Sequence, residues 1–162
     1  MARALIVGCG CRGRELGAEL AGRGWQVRGT SRTDEGLTEI EAAGIEAVRA
    51  DPERPGTVLE LCGDTSVVVW LLGSAHGSAE EVEAIHGPRL ERLLEKLVDS
   101  PVRGFAYEEV GIAPAGYLER GSEIVGEAGK RWRIPVAIIT EERGSAGWAG
   151  RAAATVAGLL AG

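Results

Sequence analysis

Basic charge, cysteine and long apolar segments are all scarce in this sequence. The 24 acidic residues outnumber the 18 basic ones and give a net charge of -6, which argues against non-specific nucleic-acid binding because such binding needs a basic face. No segment approaches the roughly 18 apolar residues of a membrane span. The three cysteines are few and odd in number, which predicts reduced thiols in a cytoplasmic protein.

The remaining composition is that of an ordinary globular domain. With 162 residues, 44% hydrophobic and 26% charged, the sequence predicts one domain over residues 1–162 that folds without a metal or a disulfide. The chain passes from Met1 directly into the apolar run 5–7. We interpret that run as a first strand and not as part of a signal peptide.

Strand-like and helix-like segments alternate along the chain. Strands are expected at residues 3–7, 25–29, 45–48, 66–72, 102–107 and 134–140. Helices are expected at residues 13–22, 34–43, 55–62, 88–98, 117–131 and 148–160. This alternation predicts an α/β fold of the Rossmann type, doubly wound, with a six-stranded, mainly parallel sheet covered by helices on both faces. The Gly- and Ser-rich segment 73–87 is expected to be a mobile loop beside a ligand.

Three glycines follow the first strand with the spacing of a dinucleotide-binding loop. In this interpretation Gly8 allows the tight turn, Gly10 lets a pyrophosphate approach the backbone, and Gly13 allows the helix to contact the strand. The helix N-terminus then presents free N–H groups to the phosphates. Cys9 and Cys11 alternate with the glycines. Their spacing indicates that they fill small positions in a tight loop and do not form a metal site. We expect Cys11 to be one of the cofactor-binding residues.

The end of the second strand predicts which dinucleotide binds. NAD-binding proteins carry an acidic residue there, about 20 residues after the glycines, for the ribose 2′-hydroxyl. This chain has Ser31 followed by Arg32, and a hydroxyl with a guanidinium suits a 2′-phosphate. The sequence therefore favours NADP over NAD as the cofactor, with Arg12 as a further phosphate contact.

Several segments together resemble a known family. The stretches "ALIVGCGCRGRELGAELAGRGWQVRGTSR", "GIEAVRADPERP", "SVVVWLLGSAH" and "VRGFAYEEVG" are similar to atypical and extended short-chain dehydrogenases/reductases of the nucleotide-sugar epimerase type. The resemblance implies that Asp51 lies near the adenine and that Leu72 and Gly73 pass the nicotinamide ribose. Asp51-Pro52 is equally a turn-forming pair.

The resemblance weakens where the family's catalytic residues are expected. Such enzymes carry a Ser or Thr after the fifth strand, and a Tyr with a Lys four residues later. Here Tyr117 is near the expected position, but residue 121 is Gly121 and the nearest cation on that helix face is Arg120. Tyr117 and Arg120 are the candidate catalytic residues. The chain also ends about one helix after the sixth strand, where epimerases of this kind continue into a substrate region.

Other candidate catalytic groups are few. His76 and His86 flank the acidic segment 78–84. Either could face a nicotinamide ring, both could bind a metal with Glu80 or Glu81, or both could simply be solvated. Glu108 and Glu109 follow the fifth strand at the sheet edge where ligands bind in such folds. One of them could line the pocket, or both could be solvated.

Three functions remain open at this level. The protein could be an NADP(H)-binding protein with a sensing or regulatory role, an NADP-dependent oxidoreductase acting on a small carbonyl substrate, or a cofactor-free interaction domain. The third reading assumes a homodimer formed through the apolar final helix, whose candidate contact residues are Trp148, Val156, Leu159 and Leu160. The substrate cannot be named from the residues.

Overall fold

Six strands form one parallel sheet in the computed structural model, which describes residues 1–142 and 144–161. The strands are β1 (Arg3–Val7), β2 (Gln26–Ser31), β3 (Glu46–Arg49), β4 (Val67–Trp70), β5 (Gly104–Glu108) and β6 (Val136–Ile139). Their order is β3-β2-β1-β4-β5-β6, and every neighbouring pair is parallel. This is the doubly wound Rossmann order, which confirms the predicted fold class. Each strand lies within two residues of its predicted ends.

Helices cover both faces of this sheet. They are α1 (Cys11–Gly22), α2 (Asp34–Ala42), α3 (Pro55–Leu59), α4 (Ala79–Ile85), α5 (Pro88–Leu97), α6 (Ala115–Trp132) and α7 (Trp148–Gly158). Alternate residues of β1 point to opposite faces. Leu5 packs into the core under α3, α4, α5 and α6, whereas Ile6 packs into the core under α1, α2 and α7.

Helix α4 corrects the expectation of a mobile loop over residues 73–87. The side chain of Ser78 caps this helix by accepting a hydrogen bond from the Glu81 amide at 3.1 Å, and Val82 and Ile85 are buried one turn apart. The Trp70 indole of β4 donates to the Ile85 carbonyl at 3.1 Å. The sequence contained the cap and the apolar pair, but the surrounding glycines and serines obscured them.

The apolar side chains of α7 pack against the chain's own sheet. Trp148 is 2% exposed and Val156 is fully buried against the chain's own sheet. Leu159 and Leu160 are half-buried against the same core. These side chains already stabilise the fold, and a homodimer formed through this helix stays a prediction.

Candidate functional site

A cleft of about 410 Å³ opens at the carboxyl ends of β1, β2 and β4. Its walls come from the glycine loop after β1, the end of β2, the loop between β3 and α3, and the segment from β4 into α4. The strand order reverses between the neighbouring strands β1 and β4, because the chain passes from β3 at one edge of the sheet to β4 on the other side of β1. Ligands of open α/β sheets bind at such a switch point.

The three glycines of the loop have three different environments. Gly8 has a φ of +85°, and a Cβ there would lie 2.6 Å from the Leu71 carbonyl oxygen. Gly10 borders the cleft, and a Cβ there would meet no atom within 4 Å. A Cβ on Gly13 would lie 3.3 Å from the Ile6 side chain. A sharp turn, an open backbone and close helix–strand packing therefore follow one another along six residues.

The N-terminus of α1 is not capped by the protein's own side chains. The N-cap residue is Gly10, no side chain caps it, and the first turn contains no acidic residue. Arg12 lines the cleft and pairs with Glu15 at 2.8 Å. Cys11 is exposed at the start of the helix but does not line the cleft. The orphan amides and the helix dipole thus form an anion-compatible end.

Ser31 and Arg32 line the cleft at the end of β2. The Ser31 hydroxyl accepts a hydrogen bond from the Thr33 amide at 3.2 Å. The Arg32 guanidinium crosses to the opposite wall, where it donates to the His76 carbonyl at 2.9 Å and lies 3.8 Å from the Glu81 carboxylate. Two hydrogen-bonding groups thus lie where NAD-binding proteins place an acid.

Two further arginines near this wall were missed by sequence reasoning. Arg14 lines the cleft directly after the third glycine and pairs with Glu39 at 3.2 Å. Arg49, at the end of β3, donates to the Arg32 carbonyl at 2.6 Å and pairs with Asp34. The position of Arg14 next to the motif could have identified it, whereas Arg49 is brought here only by the pairing of β2 with β3.

Asp51 adopts the turn conformation that its sequence allowed. Its carboxylate accepts a hydrogen bond from the Glu53 amide at 3.0 Å, and its own amide donates to the Thr57 hydroxyl at 2.9 Å. Its neighbours Ala50, Pro52 and Glu53 line the cleft, and Asp51 does not. The turn at Asp51 therefore holds the backbone of this wall in place without itself lining the cleft.

Leu72 and Gly73 follow β4 but differ in exposure to the cleft. Leu72 lines it, whereas Gly73 packs behind it against the loop after β5. A Cβ on Gly73 would lie 2.8 Å from the Val110 carbonyl carbon, and one on Gly111 would lie 2.7 Å from the Gly73 Cα. The Gly73 amide donates to the buried Glu108 carboxylate at 3.2 Å. Glu108 thus supports the backbone of this loop and does not line the cleft.

A buried pair of polar rings lies behind Leu72. His86 Nε2 is 3.0 Å from the Leu72 carbonyl oxygen, and its Nδ1 is 2.6 Å from the Tyr107 hydroxyl. Because a carbonyl only accepts, Nε2 carries the hydrogen and Nδ1 accepts from tyrosine. Burial lowers the pKa of His86 and raises that of Tyr107. Both rings are therefore neutral, and His86 is a buried residue that does not face the cleft.

The expected catalytic pair does not reach the cleft. Tyr117 is half-buried in the first turn of α6 and Arg120 is exposed one turn later. Neither lines the cleft. A Cβ on Gly121 would overlap the ring of Tyr107, with its Cε1 2.9 Å away. The resembling enzymes carry lysine at this position. Here the ring of Tyr107, from β5, fills the space that a side chain at position 121 would need.

Two further classes of site are not found in residues 1–142 and 144–161. No group of three or more His, Cys, Asp or Glu side chains there is arranged to hold a metal ion. None of the helices there combines the length and apolar character of a membrane span.

Cys9 and Cys62 are buried, and desolvation raises the pKa of each thiol to about 12.

Fold and cleft together define the chain as a Rossmann-type α/β protein, and solved structures with this fold include nucleotide-sugar epimerases and reductases. UDP-glucuronic acid 4-epimerase from Bacillus cereus in complex with NAD has a TM-score of 0.67 at 17% identity, covering 84% of this chain and 54% of that one. Triphenylmethane reductase of Citrobacter sp. complexed with NADP(H) has a TM-score of 0.63 at 17% identity, covering 85% and 49%.

A third similar structure is UDP-glucose 4-epimerase of Thermotoga maritima with UDP-glucose. Its TM-score is 0.70 at 12% identity, with 84% of this chain and 54% of that chain covered. This chain therefore spans about half the length of the solved structures that it matches. No protein-family model and no curated protein matches the sequence.

Proposed function

We propose that the protein binds NADP(H) in this cleft, with the pyrophosphate against the backbone of residues 8–13. The observation that carries the proposal is Gly10, a bare backbone position at an uncapped helix N-terminus that faces the cleft. A diphosphate there would accept hydrogen bonds from orphan amides and would lie at the positive end of the helix dipole. Arg12 and Arg14 line the same wall and would add positive charge.

The preference for the phosphorylated dinucleotide rests on Ser31 and Arg32. Hydrogen bonds to charged groups contribute about 1.5–3 kcal/mol, which corresponds to about tenfold or more in affinity. One similar solved structure holds NAD and another holds NADP(H), so the fold serves both dinucleotides. The residues at the end of β2 must therefore decide between them.

The remaining parts of the dinucleotide follow from this pose. The adenine would lie along the wall formed by Pro52 and Glu53, with the Asp51 turn behind it. The nicotinamide ribose would pass Leu72, while Gly73 would keep the neighbouring loop close without a side chain in the way.

We further propose a sensing or regulatory role for this binding and no carbonyl reduction. Tyr117 and Arg120 are absent from the cleft lining, and Gly121 replaces the lysine that would lower a tyrosine pKa in the resembling enzymes. Reduction of a carbonyl group by hydride transfer needs a proton donor at the reacting oxygen. The tyrosine of the resembling enzymes has no counterpart among the residues that line this cleft.

Titration with NADPH and NADH, followed by tryptophan fluorescence and calorimetry, tests this proposal. We expect NADPH to bind about tenfold or more tightly than NADH, and Arg32→Ala to abolish the difference. Arg92→Ala is the matched control, since it removes the same charge from an exposed position on α5 outside the cleft. Gly10→Ala should weaken both dinucleotides without a steric clash inside the protein, because its methyl group meets no protein atom.

Three results would count against the proposal. If neither dinucleotide binds, the assignment of the cleft is wrong. If the preference survives in Arg32→Ala, the assignment of the 2′-phosphate site to Ser31 and Arg32 is wrong. If NADPH is oxidised at the expense of aldehydes or ketones, the non-catalytic role is wrong and Tyr117→Phe then tests whether that tyrosine supplies the proton.

A further inference from the structure

An ion pair joins the two walls of the cleft at its mouth. Arg32 extends from the end of β2 and Glu81 from the first turn of α4, and their charged groups lie 3.8 Å apart. Both residues line the cleft, with about two fifths of each side chain exposed. The same guanidinium donates to the His76 carbonyl at 2.9 Å. Arg32 is therefore engaged by the opposite wall of the cleft.

The local sequence offers Glu81 a second partner. Ser78-Ala79-Glu80-Glu81 has the Ser-x-x-Glu spacing of a capping box, in which the Glu accepts a hydrogen bond from the N-cap amide. One half of the box is formed, since the Ser78 hydroxyl accepts from the Glu81 amide at 3.1 Å. The Glu81 carboxylate pairs instead with Arg32 and lies close over Gly77. The capping box would be complete if this carboxylate instead accepted a hydrogen bond from the Ser78 amide.

We propose that Glu81 is a specificity-determining residue that competes with the 2′-phosphate for Arg32. This inference rests on the proposed NADP(H) site. A 2′-phosphate reaching Arg32 displaces the carboxylate, which then completes the capping box at Ser78. An unphosphorylated ribose does not displace the Glu81 carboxylate, so the Arg32–Glu81 ion pair remains intact when NAD(H) binds.

The consequence is a reduced selectivity for the phosphorylated cofactor. The carboxylate both occupies the guanidinium before binding and repels the incoming phosphate, and each effect opposes NADPH alone. Exposed ion pairs of this kind change an equilibrium by about two- to fivefold. Removing the Glu81 charge should therefore widen the gap between NADPH and NADH.

The experiment compares Glu81→Gln with Glu80→Gln. Glu80 is one residue away in the same first turn of α4, carries the same charge, is exposed, and does not line the cleft. We expect Glu81→Gln to tighten NADPH binding by about two- to fivefold with NADH unchanged, and Glu80→Gln to change neither. Glu81→Lys against Glu80→Lys enlarges the effect by adding a cation. The gain should shrink at about 0.5 M salt, because screening weakens exposed charge interactions.

The outcomes distinguish a failure of this inference from a failure of the proposed function. If the unchanged protein binds neither dinucleotide, the proposed function falls and the inference falls with it. If NADPH binds with the expected preference but Glu81→Gln equals Glu80→Gln, only the role of Glu81 is overturned. A weaker NADPH affinity in Glu81→Gln also overturns it, since Glu81 would then be holding Arg32 in a binding conformation.

Discussion

Replacing Gly121 with alanine tests why this chain has no lysine at that position. A Cβ there would overlap the Tyr107 ring, and Tyr107 is fully buried and held by His86 at 2.6 Å. The ring can move aside only by repacking the core and breaking that hydrogen bond. The substitution therefore probes the pair behind the cleft wall without touching the cleft.

The expected size follows from three contributions. Overpacking a core costs about 1–3 kcal/mol, and leaving the buried His86 nitrogen without its donor costs about 1–3 kcal/mol. Exchanging glycine for alanine within a helix returns about 1 kcal/mol. We expect Gly121→Ala to lower the free energy of unfolding by about 3 kcal/mol, a large part of the about 5–15 kcal/mol typical of a domain.

Urea denaturation of Gly121→Ala and Gly126→Ala measures this effect. Gly126 lies on the same helix, and a Cβ there meets no atom within 4 Å, so its alanine variant should gain about 0.5–1 kcal/mol. Opposite signs for the two variants support the reasoning. Equal stability of the two would refute it, because Tyr107 would then not be fixed under α6.

Two further predictions concern titratable and nucleophilic groups. Only the exposed Cys11 should react with a thiol reagent in the folded protein, because burial raises the pKa of the other two thiols to about 12; mass spectrometry showing a second modified cysteine under native conditions would contradict this. Burial lowers the pKa of His86 below its usual 6.5, so below about pH 6.5 the unfolded chain takes up a proton that the folded protein resists. Stability should therefore be complete above that pH and fall as the pH drops below about 6.5, as urea midpoints would show. His86→Gln should lose this dependence and the exposed His76→Gln should keep it.

The fold was predictable because its signals are local and repeated. An unbroken apolar run such as 67–72 specifies a strand buried on both faces, and the glycines after β1 specify a tight strand-to-helix turn. Helix α4 was missed because its seven residues carry only one turn of apolar spacing between Gly- and Ser-rich flanks. Short helices depend on tertiary contacts such as that from Trp70 to Ile85.

The candidate site was only partly predictable for a related reason. Gly10 and Arg32 lie at sequence positions defined by the turn and by the end of a strand, and both line the cleft. The pair of His86 with Tyr107 joins two elements 21 residues apart, with no spacing rule to indicate it. Position 117 was assigned by resemblance alone, and a resemblance does not specify which way a helix turns its side chains.

The contact between Gly73 and Gly111 couples the loop after β4 to the loop after β5. Because each backbone fills the space that a side chain of the other would need, neither loop can shift without pushing its neighbour. A molecule that docks against residues 109–113 would thereby move the segment around Leu72 that lines the cleft. Binding of the proposed dinucleotide would, in turn, move the loop after β5.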